Sequence, residues 1–237
     1  MNAALAAALR DFFTPRMLGL VLWPLLGAAL LWGLLAYFFW GDLVRGLQHL
    51  ATVPALERWL GPGLLRWLAE FSVAVALFLI LPPLVQASAL LITSAIALPV
   101  MVAFVATRDY PDLERRRGGT LIGSLANAVA ATLLYLLAWL VCLPLWLFGL
   151  PALVLPLVLN AWLNQRLFRY DALSEHASRQ EYRRFCAAQR GRLFGLGLVA
   201  AALQLVPILN LVVPVYAGLS FVHFGFAELR RMRARAA

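Results

Sequence analysis

Uncharged apolar stretches alternate with short segments that carry arginine. Four stretches contain no Asp, Glu, Lys or Arg: residues 17–40, 71–107, 120–165 and 193–226. A helix of about 20 residues crosses a hydrocarbon core about 30 Å thick, so each stretch is long enough to enter a bilayer. The pattern predicts an all-α integral membrane protein with a single membrane domain.

The first two stretches predict long transmembrane helices. Residues 17–40 match one crossing and end in an aromatic cluster suited to the membrane interface. Residues 71–107 are too long for one crossing and too short for two, which favours a kinked helix that projects into the cytoplasm. Residues 41–70 carry balanced charges, and Trp59 and Trp67 suggest a helix lying on the periplasmic surface.

The last two stretches predict helical hairpins, because proline interrupts each near its centre. A break at Pro207 divides residues 193–226 into arms of ~21 and ~24 Å, each short of a full crossing. Residues 120–165, interrupted around Pro144 and Gly149, have longer arms that either span the membrane or form a deep re-entrant hairpin. The ends of both hairpins are rich in arginine, which places them in the cytoplasm.

The segments outside these stretches predict two further helices. Residues 1–14 form an amphipathic helix for the cytoplasmic interface, with Leu5 and Leu9 on its apolar face and Asp11 off it. The basic segment 166–192 is cytoplasmic and contains a capping box from Ser178 to Glu181, which predicts a helix start there. Both termini are expected in the cytoplasm.

Composition supports the membrane assignment and narrows the partners. Charged residues make up 13% of the chain, about half the share in soluble proteins. The net charge of +9 fits cytoplasmic loops and anionic lipid headgroups better than nucleic acid. Cys142 and Cys186 have no metal-ligand spacing around them, and no cofactor, metal or disulfide is expected.

Three short motifs, in this order along the chain, resemble a known family. They are the Pro15 and Pro24 pair that enters the first span, the run from Tyr170 to His176, and the run from Val206 to Pro214. Together with the two proline-broken hairpins they resemble the CysZ-like sulfate permeases and the related etoposide-induced membrane proteins.

The resemblance implies an inner-membrane protein, homo-oligomeric, that takes up sulfate without nucleotide hydrolysis. Those permeases look to carry paired arginines just after the N-terminal proline. Here Arg16 is the only cation at that point, with Leu18 and Gly19 where the pair would lie. The departure favours an alternative, a non-transporting membrane scaffold or regulatory protein of the same family.

Three residues are candidates for anion binding. Arg16 and Gly19 lie at a break before a membrane helix, where free backbone N–H groups favour an anion. Arg16 could equally be an arginine that only sets topology. Asn210, at the apex of the second hairpin, either contacts a solute or caps the turn left open by Pro207.

Other polar residues are expected in structural networks or along a pathway. Asn127, Asn160 and Gln204 are candidates for hydrogen bonds between helices. Asp171 and His176 share a cytoplasmic loop and are interpreted as a polar network. Nucleophile elbows, phosphate-binding glycine loops and zinc spacings are absent from the sequence, which predicts that the protein is not an enzyme.

Overall fold

A computed structural model of the protein describes residues 1–51, 54–210 and 212–236. Within that range, the side chains outside the description are those of residues 22–25, 43–44, 47–51, 54–62, 65–66, 69, 121, 146–148, 150–153 and 207–208. All the regular elements described are helices, so the all-α prediction is confirmed. Two continuous helical stretches within the described residues, Glu70–Asp109 and Ile122–Leu145, are long and apolar enough to cross a membrane.

Eleven α-helices are described, with a π-helical turn at Thr93–Ala97 and a 3₁₀ turn at Leu143–Phe148. The helices are α1 (Asn2–Phe12), α2 (Pro15–Gly19), α3 (Leu22–Ala51), α4 (Pro54–Ile92), α5 (Leu98–Asp109), α6 (Leu121–Cys142), α7 (Leu150–Leu173), α8 (Arg179–Ala188), α9 (Arg190–Gln204), α10 (Pro207–Asn210) and α11 (Val213–Ala234).

The chain divides into two compact units. The smaller unit, Leu26–Gln86, holds most of α3 and the first part of α4. The helix expected within residues 41–70 is not a separate element, because α3 continues to Ala51 and α4 begins at Pro54, a residue tolerated in the first turn of a helix. Its place on the periplasmic surface stays a prediction. Trp67 is exposed, whereas the side chain of Trp59 lies outside the described residues.

The larger unit comprises Met1–Leu25 and Ala87–Ala237. The prediction of a single helix over residues 17–40 is wrong. Helix α2 ends at Gly19, and the chain turns before α3 begins at Leu22. Pro24 falls in the first turn of α3, where the missing N–H has no helical partner to lose.

Within residues 71–107, where a kink is predicted, the helix makes a π-helical turn at Thr93–Ala97. The Thr93 hydroxyl donates to the carbonyl of Ala89 at 2.8 Å, a bond that competes with the helical ladder. Pro99 follows in the first turn of α5 and has no N–H for the preceding turn. A polar side chain and a proline therefore account for this change of helix geometry.

Helix α11 is the central helix of the larger unit. It packs against α1, α5, α7 and α9, and all its residues from Val213 to Phe226 except the half-buried Tyr216 are buried. A Cβ atom on Gly218 would lie 2.9 Å from the Met101 sulfur. The small residue therefore lets α11 approach α5 closely, as small residues do in membrane bundles.

The predicted breaks of both hairpins coincide with ends of helices. The first break is the 3₁₀ turn and Gly149, which has a φ of 71°, between α6 and α7. The second lies around α10, between α9 and α11. Helices α7 and α9 join the two hairpins, and a Cβ on Gly197 would come within 2.3 Å of the Ala161 carbonyl oxygen. Entry of these hairpins into a membrane stays a prediction.

The N-terminal helix packs on α11 through Ala4, Ala8, Asp11 and Phe12. The expectation that Asp11 lies off the packing face is therefore wrong. Its carboxylate is fully buried because charged partners from other helices surround it. Leu9 remains exposed on the opposite side, and contact of that side with a membrane interface stays a prediction.

Candidate functional site

A line of uncharged polar side chains connects α6, α7 and α9. We call Tyr135, Asn160, Asn164 and Gln204 the amide chain. The Tyr135 hydroxyl donates to Asn160 Oδ1 at 2.9 Å. Asn164 Nδ2 donates to Gln204 Oε1 at 3.3 Å and to the Asn160 carbonyl at 2.8 Å. The four-residue spacing of Asn160 and Asn164 places both on one face of α7.

The amide chain has unused hydrogen-bonding capacity. Asn164 Oδ1 and Gln204 Nε2 are buried and have no hydrogen-bond partner among the described residues. Buried polar atoms are almost always paired, because leaving one unpaired costs about 1–3 kcal/mol. An unpaired amide within an apolar bundle therefore indicates a position where water or a polar solute binds.

Asn127 makes a different contact between the arms of the first hairpin. Its Nδ2 donates to the Arg166 carbonyl at 3.1 Å, which joins the beginning of α6 to α7. Asn127, Asn160 and Gln204 therefore all hydrogen-bond to a neighbouring helix. The structure brings Asn160 and Gln204 into one chain through Asn164, which the sequence analysis did not single out.

Asp171 lies in the last turn of α7 rather than in a loop. Its carboxylate accepts hydrogen bonds from the Ser94 hydroxyl on the π-helical turn and the Ser124 hydroxyl on α6. Burial raises the pKa of Asp171, although both serine bonds act in the opposite direction. No described cationic side chain forms an ion pair with it, so hydroxyl groups alone satisfy this carboxyl.

His176 lies near the C-terminal end of α11, with its ring centroid 4.6 Å from that of Phe226. Burial, together with the positive charge of Arg115, lowers the pKa of His176. The buried ring nitrogen Nδ1 has no hydrogen-bond partner among the described residues. Asp171 and His176 thus have different neighbours, although they are only five positions apart in the sequence.

A second buried carboxylate, Asp11, forms an ionic cluster that the sequence did not reveal. It accepts from Arg10 Nε at 2.8 Å and Arg108 Nη1 at 3.2 Å, and its other oxygen lies 3.0 Å from His223 Nε2. Burial alone would raise the pKa of Asp11, but the hydrogen bonds from Arg10 and His223 lower it. Because 212 positions separate Asp11 from His223, no local pattern signals this pair.

Potential metal ligands in this cluster are already bound by arginine. Atoms of Asp11, Asp109 and His223 lie within 4.8 Å of one another. Arg10 pairs with both carboxylates, at 2.8 Å in each case. A metal ion would have to displace a guanidinium group, so the geometry favours an ionic contact between α1, α5 and α11.

Arg233, at the end of α11, joins several elements on the side of the basic segment. It bonds Glu181 at 2.9 Å and donates to the carbonyls of His176 at 2.7 Å and Glu114 at 3.0 Å. Glu181 also completes the predicted capping box with Ser178, which the structure confirms. Burial opposes ionisation, but Arg233 and the Ser178 N–H lower the pKa of Glu181 to about 2.

The remaining candidates lie on two short helices with different neighbours. Arg16 and Gly19 are exposed on α2, which packs against α1. Asn210 is half-buried on α10, which packs against α9 and α11, and its Oδ1 has no partner among the described residues. That oxygen therefore does not cap the described part of the turn.

Comparison with known proteins identifies a family. The sequence model of the family described as sulfate transporter CysZ/etoposide-induced protein 2.4 matches residues 4–214. No curated protein and no solved structure matches the chain. The matched range contains the amide chain and Asp171, and it ends before His223 and Arg233.

Proposed function

The chain belongs to the sulfate transporter CysZ/etoposide-induced protein family, and from this premise we propose that it carries a small inorganic anion, sulfate first, across the bacterial inner membrane. Transport proceeds without nucleotide hydrolysis. Both termini lie in the cytoplasm, and both hairpins enter the bilayer from that side. The protein works as a homo-oligomer in contact with membrane lipids.

The observation that carries this proposal is the incompletely paired amide chain. Sulfate that leaves water needs hydrogen-bond donors, but a full positive charge inside a bilayer is costly and would hold a dianion tightly. Tyr135, Asn160, Asn164 and Gln204 offer neutral hydroxyl and amide groups, and Gln204 Nε2 has no protein acceptor among the described residues. Neutral donors can bind an anion and still release it.

Arg16, Gly19 and Asn210, the anion-binding candidates from the sequence, act outside the amide chain. Arg16 is exposed at a helix break, where a positive charge raises the local concentration of anions. The backbone N–H groups near Gly19 assist it. Asn210, with an unpaired oxygen at the second break, contacts the hydrated ion at the apex.

Sulfate uptake into proteoliposomes tests the proposal. Purified protein should accumulate labelled sulfate above the level of empty vesicles. Gln204→Leu, which removes the unpaired donor, should reduce the initial rate about ten-fold or more, as expected for one lost hydrogen bond to an ion. Gln180→Leu, at an exposed position of α8, is the matched control and should retain the rate. Uptake equal to that of empty vesicles would exclude transport of sulfate.

A non-transporting scaffold is the second candidate function. It is favoured by the single cation at position 16, where the permeases resembled by this chain look to carry two. One measurement distinguishes a protein that binds sulfate from a scaffold that does not. Sulfate that binds the folded state raises the melting temperature of the detergent-solubilised protein. A melting temperature that stays constant in sulfate, together with absent uptake, would establish the scaffold.

A further inference from the structure

Two cavities lie on either side of Tyr110 and Leu113, in the segment between α5 and α6. The larger, of about 370 Å³, is lined by acidic and basic side chains, including Asp112, Glu114 and Arg233. Arg233 is already engaged by Glu181, the guanidinium of Arg230 lies over the Tyr110 ring, and the two nearby carboxyl groups would repel an anion. This cavity therefore has no net preference for negative charge.

The smaller cavity, of about 240 Å³, has a different lining. Its polar residues are Thr107, Tyr110, Arg115 and His176, and the rest of its wall is apolar. No carboxylate lines it. We call it the Arg115 cavity, because that arginine supplies its only full charge among the lining residues.

Arg115 is available for a ligand. It makes no ion pair or hydrogen bond with any described residue, although it is next to Arg116 in the sequence. Arg116, by contrast, pairs with Glu114 and Glu181, each at 2.9 Å. Of these two adjacent arginines, Arg116 is ion-paired, whereas Arg115 is not ion-paired with any described residue and lines the cavity that has no carboxylate.

His176 gives an independent indication that a partner is missing. The residue is 1% exposed, lines the cavity, and has an unpaired buried Nδ1 among the described residues. Burial lowers the pKa of His176, Arg115 and Arg233 lower it further, and Glu175 acts in the opposite direction. The ring is therefore held neutral in positive surroundings, a state that a bound anion would reverse.

We propose that the Arg115 cavity binds a tetrahedral oxyanion, either sulfate or phosphate free in the cytoplasm or the phosphate of a lipid headgroup. The planar guanidinium of Arg115 offers two parallel hydrogen bonds to such an ion. The Tyr110 hydroxyl and the ring of His176 offer further donors from the wall. Binding here does not depend on transport through the amide chain, so it holds whether or not the protein moves sulfate.

The proposed site has a predictable response to pH. A bound anion favours protonated His176, so sulfate, whose own charge does not change near neutral pH, binds with proton uptake and more tightly as the pH falls. The charged groups that act on this ring are Arg115, Glu175 and, from α11, Arg233, while α11 also contributes the uncharged Phe226. Substitution of His176 by Asn should remove this dependence.

Calorimetric titration of the full-length protein in detergent with inorganic phosphate, and separately with sulfate, tests the site. Arg115→Gln should weaken phosphate binding about ten-fold or more, because it removes a charged donor. Arg184→Gln removes the same charge from an exposed position of α8 that lines neither cavity. This control should bind phosphate as the wild type does.

Lipid nanodiscs distinguish the two sources of the ligand. If a headgroup fills the cavity, phosphatidic acid should compete with inorganic phosphate in the wild type but not in Arg115→Gln, while phosphatidylcholine should not compete. Unchanged phosphate affinity in Arg115→Gln, or an equal loss in Arg184→Gln, would overturn the site. Sulfate uptake by the same variants reports on the proposed transport separately.

Discussion

The two hairpins contain arms of similar apolar character with opposite surroundings. On α6, in the first hairpin, Ile122 and Leu133 are 82% and 62% exposed. On α11, in the second, Leu219 and Val222 are fully buried. Both arms lack charge over the compared residues, so hydropathy alone does not distinguish an exposed helix from one at the centre of a bundle.

Side-chain size does distinguish the exposed face of α6 from the buried α11. Helix α11 carries Gly218 and Gly225, and a Cβ on either would press against Met101 or Leu173. The exposed face of α6 carries large aliphatic residues, which suit contact with lipid chains. Since apolar side chains gain little from leaving lipid for protein, close packing of small residues marks a buried face. The same holds within α6, where a Cβ on Gly123 would lie 2.4 Å from the Tyr170 hydroxyl oxygen. Four tests break or sharpen this comparison, from the largest expected effect to the smallest.

The largest effect is expected where the two hairpins meet. Gly197→Ala on α9 places a methyl group against the Ala161 carbonyl, a backbone atom that cannot move aside. We expect a loss of about 3 kcal/mol in the free energy of unfolding, measured in mixed micelles of increasing SDS content. Gly191→Ala on the same helix has open space around it and should be neutral or slightly stabilising. Equal stability of the two variants would contradict the close contact.

Truncation of one leucine in each arm tests their difference directly. Leu219→Ala on α11 should cost about 2 kcal/mol, because it leaves a cavity in the centre of the larger unit. Leu133→Ala on α6 should cost less than about 0.5 kcal/mol in detergent. The same unfolding experiment measures both. If the two losses are similar, α6 is covered by protein, as a homo-oligomer would allow.

The third test concerns the charged ends of the hairpins. The pKa of Glu181 is about 2 in the folded protein and near 4.5 without its partners. Its contribution to stability is therefore complete above pH 4.5 and is lost as the pH falls towards 2. The melting temperature of Glu181→Gln should lie a few degrees below that of the wild type at pH 6, and the gap should narrow below pH 4.5.

Glu114→Gln is the control for that experiment. Glu114 is 68% exposed and pairs through its side chain with Arg116 alone among the described residues. Exposed pairs contribute little, so this variant should follow the wild-type pH profile. A constant gap between wild type and Glu181→Gln across the acid range would show that the loss does not come from ionisation.

The smallest effect is expected within the amide chain. Tyr135→Phe removes the donor to Asn160 and should cost about 1 kcal/mol in the free energy of unfolding. Tyr37→Phe, at a position 79% exposed, should have no effect. The same unfolding assay compares the two. A loss above about 3 kcal/mol would mean that the hydroxyl supports more than this single bond.

Features set by local chemistry were predictable from the sequence. Ser178 and Glu181 form the capping box because its geometry depends on only four residues. The interruptions at Pro144 and Pro207 follow from the missing N–H of proline. The prediction of one helix over residues 17–40 was wrong because a run of uncharged residues does not show where the chain turns. Here the turn follows Gly19, the last residue of α2.

Features set by contacts across the chain were not predictable. Asp11 looked like the polar side of a surface helix, since Arg108 and His223, its distant partners, lie on other helices. Asn164 joined the candidate residues only when α7 and α9 were placed side by side. The sequence identified the amide residues as bonding partners between helices, but their connectivity required the structure.

The π-helical turn at Thr93–Ala97 lets the long helix absorb a change in its length. Such a turn contains one residue more than an α-helical turn would, for nearly the same rotation about the axis. Removing one residue there would restore regular α-helical geometry and leave the face that carries Leu98 and Met101 close to its present direction. The same deletion within α5 would instead rotate the residues that follow by about 100°. The cost of removing the extra residue would fall on Ser94, whose hydroxyl donates to Asp171. The extra residue therefore matters for this hydrogen bond more than for the packing of the helix that follows.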